Sequence, residues 1–180
     1  MDLKATVAAI PDFPKAGILF RDVSPMLRNP AAYTQAIKTF AGAWRGKADA
    51  VVALDARGFI FGAMLAYELH LPFVMVRKKG KLPGTTVSQA YGLEYGQDVF
   101  EVQEGALDAG ARVLIVDDLL ATGGSAAAAA ALVKKVGAQV AGFGFVIELC
   151  ALNGKEKLPA GASVYSLLCY DKEDEAAAAA

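Results

Sequence analysis

The string from Val113 to Ser125, VLIVDDLLATGGS, concentrates residues suited to chemistry. An apolar run ends in two adjacent carboxylates, Asp117 and Asp118. It then passes through a small-residue loop, Ala121, Thr122, Gly123, Gly124 and Ser125, into an alanine-rich stretch of helical composition. Such a loop lets several backbone N–H groups converge on one phosphate, with hydroxyl donors beside them and the partial positive charge of a helix N-terminus behind. Bulky side chains would block that approach. The two carboxylates would repel an anion, so they suit a neutral or cationic neighbour, such as a sugar diol or a magnesium ion. One aspartate as a mere helix cap is the competing reading, and the whole string favours ligand binding over it.

Cations gather in two further places. LDARGF, Leu54 to Phe59, sets Asp55 and Arg57 on a tight turn directly after an apolar run. Arg57 offers a forked, permanently charged group to phosphate oxygens, although an Arg-Gly turn by itself is more often surface than site. RKKGK, Arg77 to Lys81, places four cations in five positions of a chain whose formal net charge is -1. A bare charge run is usually a solvated face. This one continues into LPGTTVSQAYGLEYG, where the acid Glu94 lies between Tyr91 and Tyr95. A long irregular segment of that kind in a compact domain is usually functional or mobile.

Other chemistries lack their residues. The single histidine, His70, stands at the expected end of a helix, so a hydrolase relay has no base and a His/Cys metal cluster has no ligands. GFGF at Gly142 to Phe145 is not a dinucleotide fingerprint, and no Walker A string occurs. With 180 residues, 55% hydrophobic and 21% charged, the chain is expected to form one domain with no general pull toward nucleic acid. Its apolar stretches, such as Gly58 to Tyr67, are far shorter than the roughly 20 residues that cross a bilayer, so no membrane partner is expected. No apolar segment follows a basic start, and the two cysteines, Cys150 and Cys169, suggest no disulfide framework, which makes the cytoplasm the expected compartment.

These groups need strands that end at their loops. The patterning predicts helices over 31–44, 59–69 and 125–136, the last closed by Gly137, and strands over 50–54, 73–76, 113–116 and 140–149. A strand over 99–102 is a further candidate, while 77–97 carries turn formers without sustained periodicity. Strands alternating with helices imply an α/β fold with a mainly parallel sheet flanked by helices, and ligands beyond the carboxyl ends of the strands, at the loops after Leu54, Val76 and Val116. Gly58 and Gly62 predict close helix packing, and the terminal DKEDEAAAAA a frayed tail or short helix without chemistry.

VLIVDDLLATGGS resembles the phosphoribosyl pyrophosphate signature of the type I phosphoribosyltransferases, with DDLLATGG in the form typical of the adenine phosphoribosyltransferase family. LDARGF resembles the family's pyrophosphate loop, and RKxGKLP continuing to YxLEYG its flexible catalytic loop. PDFPKAGILFRD resembles its adenine arm, departing at Lys15-Ala16, and GKEKL and YSLLCYD match more weakly. The resemblance implies the type I fold in a single domain, 1–180, with a small hood from about 1–30 and 150–180. The implied reaction joins adenine to phosphoribosyl pyrophosphate, giving AMP and pyrophosphate with Mg2+, in a homodimer. By the same resemblance Asp117 and Asp118 hold the ribose hydroxyls and Ala121 to Ser125 wrap the 5'-phosphate. Arg57, Arg77, Lys78, Lys81 and Tyr95 serve phosphoribosyl pyrophosphate, and Glu94 assists proton movement. Phe20 stacks on adenine while the backbone of Leu19 and Arg21 reads its edge. Magnesium is implied mainly through pyrophosphate, ribose and water, with no side chain certain as a direct ligand.

Overall fold

Two apolar strands at the centre of the chain decide the architecture. AVVAL forms β3 (Ala50–Leu54) and is buried along its whole length. Alternate residues turn to opposite faces of a strand. Ala50, Val52 and Leu54 accordingly enter one core cluster, and Val51 and Ala53 a second. β7 (Arg112–Leu120) divides in the same way, with Val113 and Ile115 on one side and Leu114 and Val116 on the other. A sheet buried on both faces needs helices on both.

The computed structural model describes residues 1–93, 96–172 and 174, with 92, 93, 96 and 97 as backbone. A seven-stranded sheet is ordered β5-β6-β4-β3-β7-β8-β9. β4 (Phe73–Lys78), β3, β7, β8 (Gln139–Leu149) and β9 (Ser163–Tyr170) run parallel. β6 (Gly96–Gln103) is antiparallel to β4 and to β5 (Thr86–Leu93). On one face lies α4 (Gly124–Lys135), which buries Ala126, Ala129, Leu132 and Val133. α2 (Pro30–Trp44) and α3 (Gly58–Leu69) cover the other.

Local signals set the helix ends. The Asn29 side chain accepts from the N–H groups of Ala31 and Ala32, and Pro30 occupies the first turn, where its missing N–H costs nothing. His70 closes α3 in a left-handed conformation, and Gly137 follows α4 at φ 87°. The GxxxG pair is a packing device, as expected. A Cβ on Gly62 would stand 2.5 Å from the Ala53 Cβ, and one on Gly58 would stand 2.9 Å from Val116 O.

Three expectations need correction. Within the segment over 77–97, residues 86–93 form β5, paired antiparallel with β6, and Val87 and Tyr91, four residues apart on one strand face, pack against the core beside α4. β7 runs on to Leu120, so Asp117 and Asp118 lie within the paired strand rather than beyond it. Cys150 and Cys169 are joined as a disulfide, with Cα atoms 5.9 Å apart, because β8 and β9 run side by side and bring Glu148 opposite Cys169.

The N-terminal arm is not wholly irregular. β1 (Ala8–Ile10) and β2 (Phe20–Asp22) pair antiparallel, and α1 (Ser24–Arg28) follows. The arm is tied to the end of the chain by Arg21, whose guanidinium lies 4.0 Å from the Tyr170 ring centroid, and by an ion pair from Lys4 to Asp174.

Candidate active site

The carboxyl ends of β3, β4 and β7 stand together, so the turns that leave them converge. At the end of β3, Asp55 N donates to Val76 O at 2.9 Å, which holds the LDARGF turn beside β4. Gly58 lets that turn approach β7 closely, since a Cβ there would also meet Asp117 Oδ1 at 2.9 Å. Arg57 is thereby carried to the acidic pair, and its Nε bonds Asp118 Oδ2. The Asp118 side chain is 7% exposed and that of Arg57 46%. The same guanidinium lies 5.0 Å from the centroid of the Phe20 ring, which meets Phe13 edge to face. One arginine thus bridges the end of β7 and the aromatic ring of the arm.

Burial pushes the Asp117 carboxyl well above the usual carboxylate range, and the charge of Asp118 next to it adds to the rise. Asp118 takes the nearby cation. Asp117 also borders a cavity of about 90 Å³ lined by residues 119–126 and Phe145. Gly123 enters α4 at φ 80°, and a Cβ there would stand 2.1 Å from Gly154 O. A larger open hollow of about 740 Å³ along α2, lined by Pro30, Thr34 and Lys38 among others, shares no residue with this cavity. The loop cavity, where helix terminus, hydroxyls and acids meet, has the chemistry of an anion site.

From β4 come the cations. Arg77 Nε bonds Asp55 Oδ2 at 3.1 Å and Lys81 Nζ lies 3.6 Å from the same oxygen, while Arg77 also donates to Lys81 O. Lys78 faces elsewhere and pairs with Asp98 at 3.1 Å, a hydrogen bond that raises its ammonium pKa. Gly80 N donates to the buried Glu101 carboxylate at 2.9 Å, which fixes the basic turn. The Tyr91 ring stacks on Phe100, and its hydroxyl donates to Asp98 at 3.3 Å.

Of the residues singled out in the sequence, the structure brings together Arg57, Asp118 and Phe20, with Asp117 and the loop 121–125 adjoining. Arg77 and Lys81 gather on Asp55, and Lys78 stands apart from them. Leu19 is half-buried beside Phe20, while the Arg21 side chain packs into the body. Glu94 and Tyr95 lie outside the described residues. Sequence reasoning missed the partners of Asp55 and the stacking of Tyr91 on Phe100. The parallel register is the signal for the first, since Leu54 opposite Val76 puts Asp55 opposite Arg77.

A mainly parallel α/β sheet with a glycine-rich loop, two acids and an aromatic-capped arginine at its carboxyl edge has the groups suited to a phosphorylated sugar beside a flat ring. The phosphoribosyl transferase domain family matches residues 24–178. Adenine phosphoribosyltransferase of Synechococcus sp. (strain CC9605) is 53% identical over 171 residues, 94% of this chain and 99% of that one. The crystal structure of adenine phosphoribosyltransferase from Thermoanaerobacter pseudethanolicus superposes with a TM-score of 0.90 at 47% identity, covering 94% of this chain and 98% of that chain. The Saccharomyces cerevisiae enzyme, solved with adenine and an imino-altritol bisphosphate, gives 0.88 at 46% identity, covering 93% and 97%. The chain belongs to the phosphoribosyltransferase family and, within it, to the adenine phosphoribosyltransferases.

Proposed function

We propose that this chain transfers the 5-phosphoribosyl group from phosphoribosyl pyrophosphate to adenine, giving AMP and pyrophosphate in purine salvage. The observation that carries this reading is the bridge from Asp118 through Arg57 to the Phe20 ring, which spans a sugar site and a base site. A purine nitrogen attacks the anomeric carbon, the bond from that carbon to pyrophosphate breaks, and the nitrogen's proton leaves, with Glu94 as its acceptor. Asp117 and Asp118 hold the ribose hydroxyls, and Ala121, Thr122, Gly123, Gly124 and Ser125 hold the 5'-phosphate. Arg57, Arg77 and Lys81 receive the leaving pyrophosphate, while Lys78 and Tyr95 are assigned to phosphoribosyl pyrophosphate by the family resemblance alone. The hairpin excludes water from the cation-like ribosyl centre. Phe20 stacks on adenine, and backbone groups of Leu19 and Arg21 read its edge, since one acceptor and one donor distinguish an amino from an oxo purine.

Mg2+ belongs to the same proposal, and when bound it neutralises charge on pyrophosphate. Among the described residues no group of three or more metal-ligating side chains is found. The two aspartates fit an ion that keeps most of its ligands from substrate and water.

We place the chain as one domain with a hood from about 1–30 and 150–180, acting as a cytoplasmic homodimer. Ile60, Met64 and Tyr67, the last 74% exposed, form an apolar stripe at helical spacing on α3 suited to a second copy. No helix among the described residues is long and apolar enough to cross a membrane. Cell fractionation tests the compartment, with adenine phosphoribosylation expected in the cytoplasmic fraction. Activity is tested with adenine, hypoxanthine, guanine and xanthine, each with phosphoribosyl pyrophosphate and with or without EDTA. Adenine is expected to turn over fastest and only with free Mg2+. Faster use of any oxopurine would overturn the base assignment.

A further inference from the structure

Glu148 is a buried acid that the reaction does not use. It lies near the end of β8, opposite Leu120 of β7 and Cys169 of β9. Its Oε2 accepts from Ser166 Oγ at 2.7 Å and from Lys155 Nζ at 2.8 Å. The segment that carries Lys155 is anchored at its start by Cys150–Cys169 and at its end by Leu158, which is buried in the core beside α4. Between these anchors Gly154 is pressed against the backbone of the loop at Ala121 and Gly123. A Cβ on Gly154 would stand 2.2 Å from Ala121 O and 3.1 Å from Gly123 N. From the other side, a Cβ on Gly123 would stand 2.1 Å from Gly154 O. The two backbones touch with no side chain between them.

We infer that Gly154, held by the Lys155–Glu148 ion pair, is a positioning residue that sets the direction of the loop's N–H groups and thereby the affinity for the 5'-phosphate. A loop that binds an anion through backbone donors cannot correct its aim by side-chain rotation. Its donors point where the peptide planes point, and a rigid backstop is what fixes those planes. The ion pair matters because Lys155 is half-exposed and holds its segment through a single buried carboxylate. The inference rests on the reading of 121–125 as the phosphate cradle, which the test separates from it.

The experiment is calorimetric titration of AMP and of adenosine into the wild-type protein and into Gly154→Ala, Lys155→Met and Lys155→Arg, with steady-state kinetics alongside. Misplacement of a positioned group by ~1 Å can cost ~100-fold, so Gly154→Ala is expected to weaken AMP by about tenfold or more. Adenosine should change by no more than about twofold, and the KM for phosphoribosyl pyrophosphate should rise while kcat at saturation stays within about threefold. Lys155→Met is expected to act in the same direction by about threefold to fivefold, and Lys155→Arg, which keeps the charge, to restore AMP affinity. If Gly154→Ala does not fold, the two Lys155 variants decide the matter. Equal weakening of AMP and adenosine, or unchanged AMP affinity in the folded variants, would overturn the inference. Wild-type protein that binds adenosine as tightly as AMP would overturn the cradle reading itself.

Discussion

Arg57→Gln separates the structural from the chemical work of the site. The substitution removes the cation from Asp118, whose side chain is only 7% exposed, and keeps a polar group of similar reach. Breaking a fully buried pair costs ~3–5 kcal/mol, whereas exposed pairs contribute ~1 kcal/mol or less. Arg57 is 46% exposed, so water screens much of the pair. A loss of about 1–2 kcal/mol is therefore expected, and at ~2–4 °C per kcal/mol for a chain of this size Tm should fall by about 2–8 °C. Catalysis should suffer more. Removing a group aimed at charge that develops in the transition state costs ~100- to 1000-fold in kcat. The lost contact with the Phe20 ring, 5.0 Å away, adds a smaller penalty in the KM for adenine, since such a contact contributes ~0.5–1 kcal/mol at exposed sites. AMP formation measured beside thermal melting gives both numbers, and Arg57→Lys should fall between, with the charge kept and the fork lost. A variant whose Tm falls as expected while kcat/KM stays within about threefold of wild type would refute the chemical role and leave Arg57 as a structural tie.

Asp117→Asn should lose activity yet gain stability. The folded pKa of Asp117 is raised, so the folded chain keeps a proton that the unfolded chain releases above 3.8, and rising pH destabilises the fold until the folded pKa is passed. The Tm gain of the variant should accordingly grow from pH 4 to pH 8, and a gain that shrinks with pH would contradict the assigned shift. Glu94→Ala is expected to lower kcat more than it raises the KM for phosphoribosyl pyrophosphate, the pattern of an interaction made mainly in the transition state. A raised KM with unchanged kcat would remove Glu94 from the chemistry. Reduction of the Cys150–Cys169 bond should lower the unfolding free energy by ~2–4 kcal/mol in urea titrations with and without dithiothreitol, and coincident curves would show that the bond adds no stability.

What was legible in the sequence was what short-range pattern encodes. β3 and the first part of β7, Val113 to Val116, announce themselves because a stretch buried on both faces is apolar, and α4 because Gly137 marks its end. The anion loop was legible because its glycines, hydroxyls and acids are contiguous. β6 was legible over 99–102, but β5 was not, since Thr86 to Tyr91 alternates weakly and among its described side chains offers Val87 and Tyr91 to the core. Gly154 stood in the GKEKL string that matches the family weakly, but its contact with the loop more than thirty residues away was not legible, because a string of residues says nothing of what packs against it. The cysteine pair misled for a related reason. Counting two cysteines says nothing of strand order, and it is the adjacency of β8 and β9 that brings them within bonding distance.

The ion pairs of the site bear on how substrate must enter. Asp118 holds Arg57, and Asp55 holds both Arg77 and Lys81, so the cations assigned to pyrophosphate already have carboxylate partners. A guanidinium has five N–H donors and can add an arriving anion without giving up its carboxylate, but an anion that takes the Nε of Arg57 or Arg77 replaces that carboxylate. Such an exchange costs less than bringing the cations out of water, because the guanidinium and ammonium groups are already ordered and partly desolvated. It also releases Asp118 and Asp55, both with side chains under 10% exposed, as buried negative charge. That charge has to be met by something that comes with the substrate, either ribose hydroxyls donating to the carboxylates or positive charge carried in on the pyrophosphate. The acids that flank an anion site are thus not at odds with it. They keep its cations in place, and on the proposed reading Asp118 becomes an acceptor for the ribose once Arg57 has turned to the pyrophosphate.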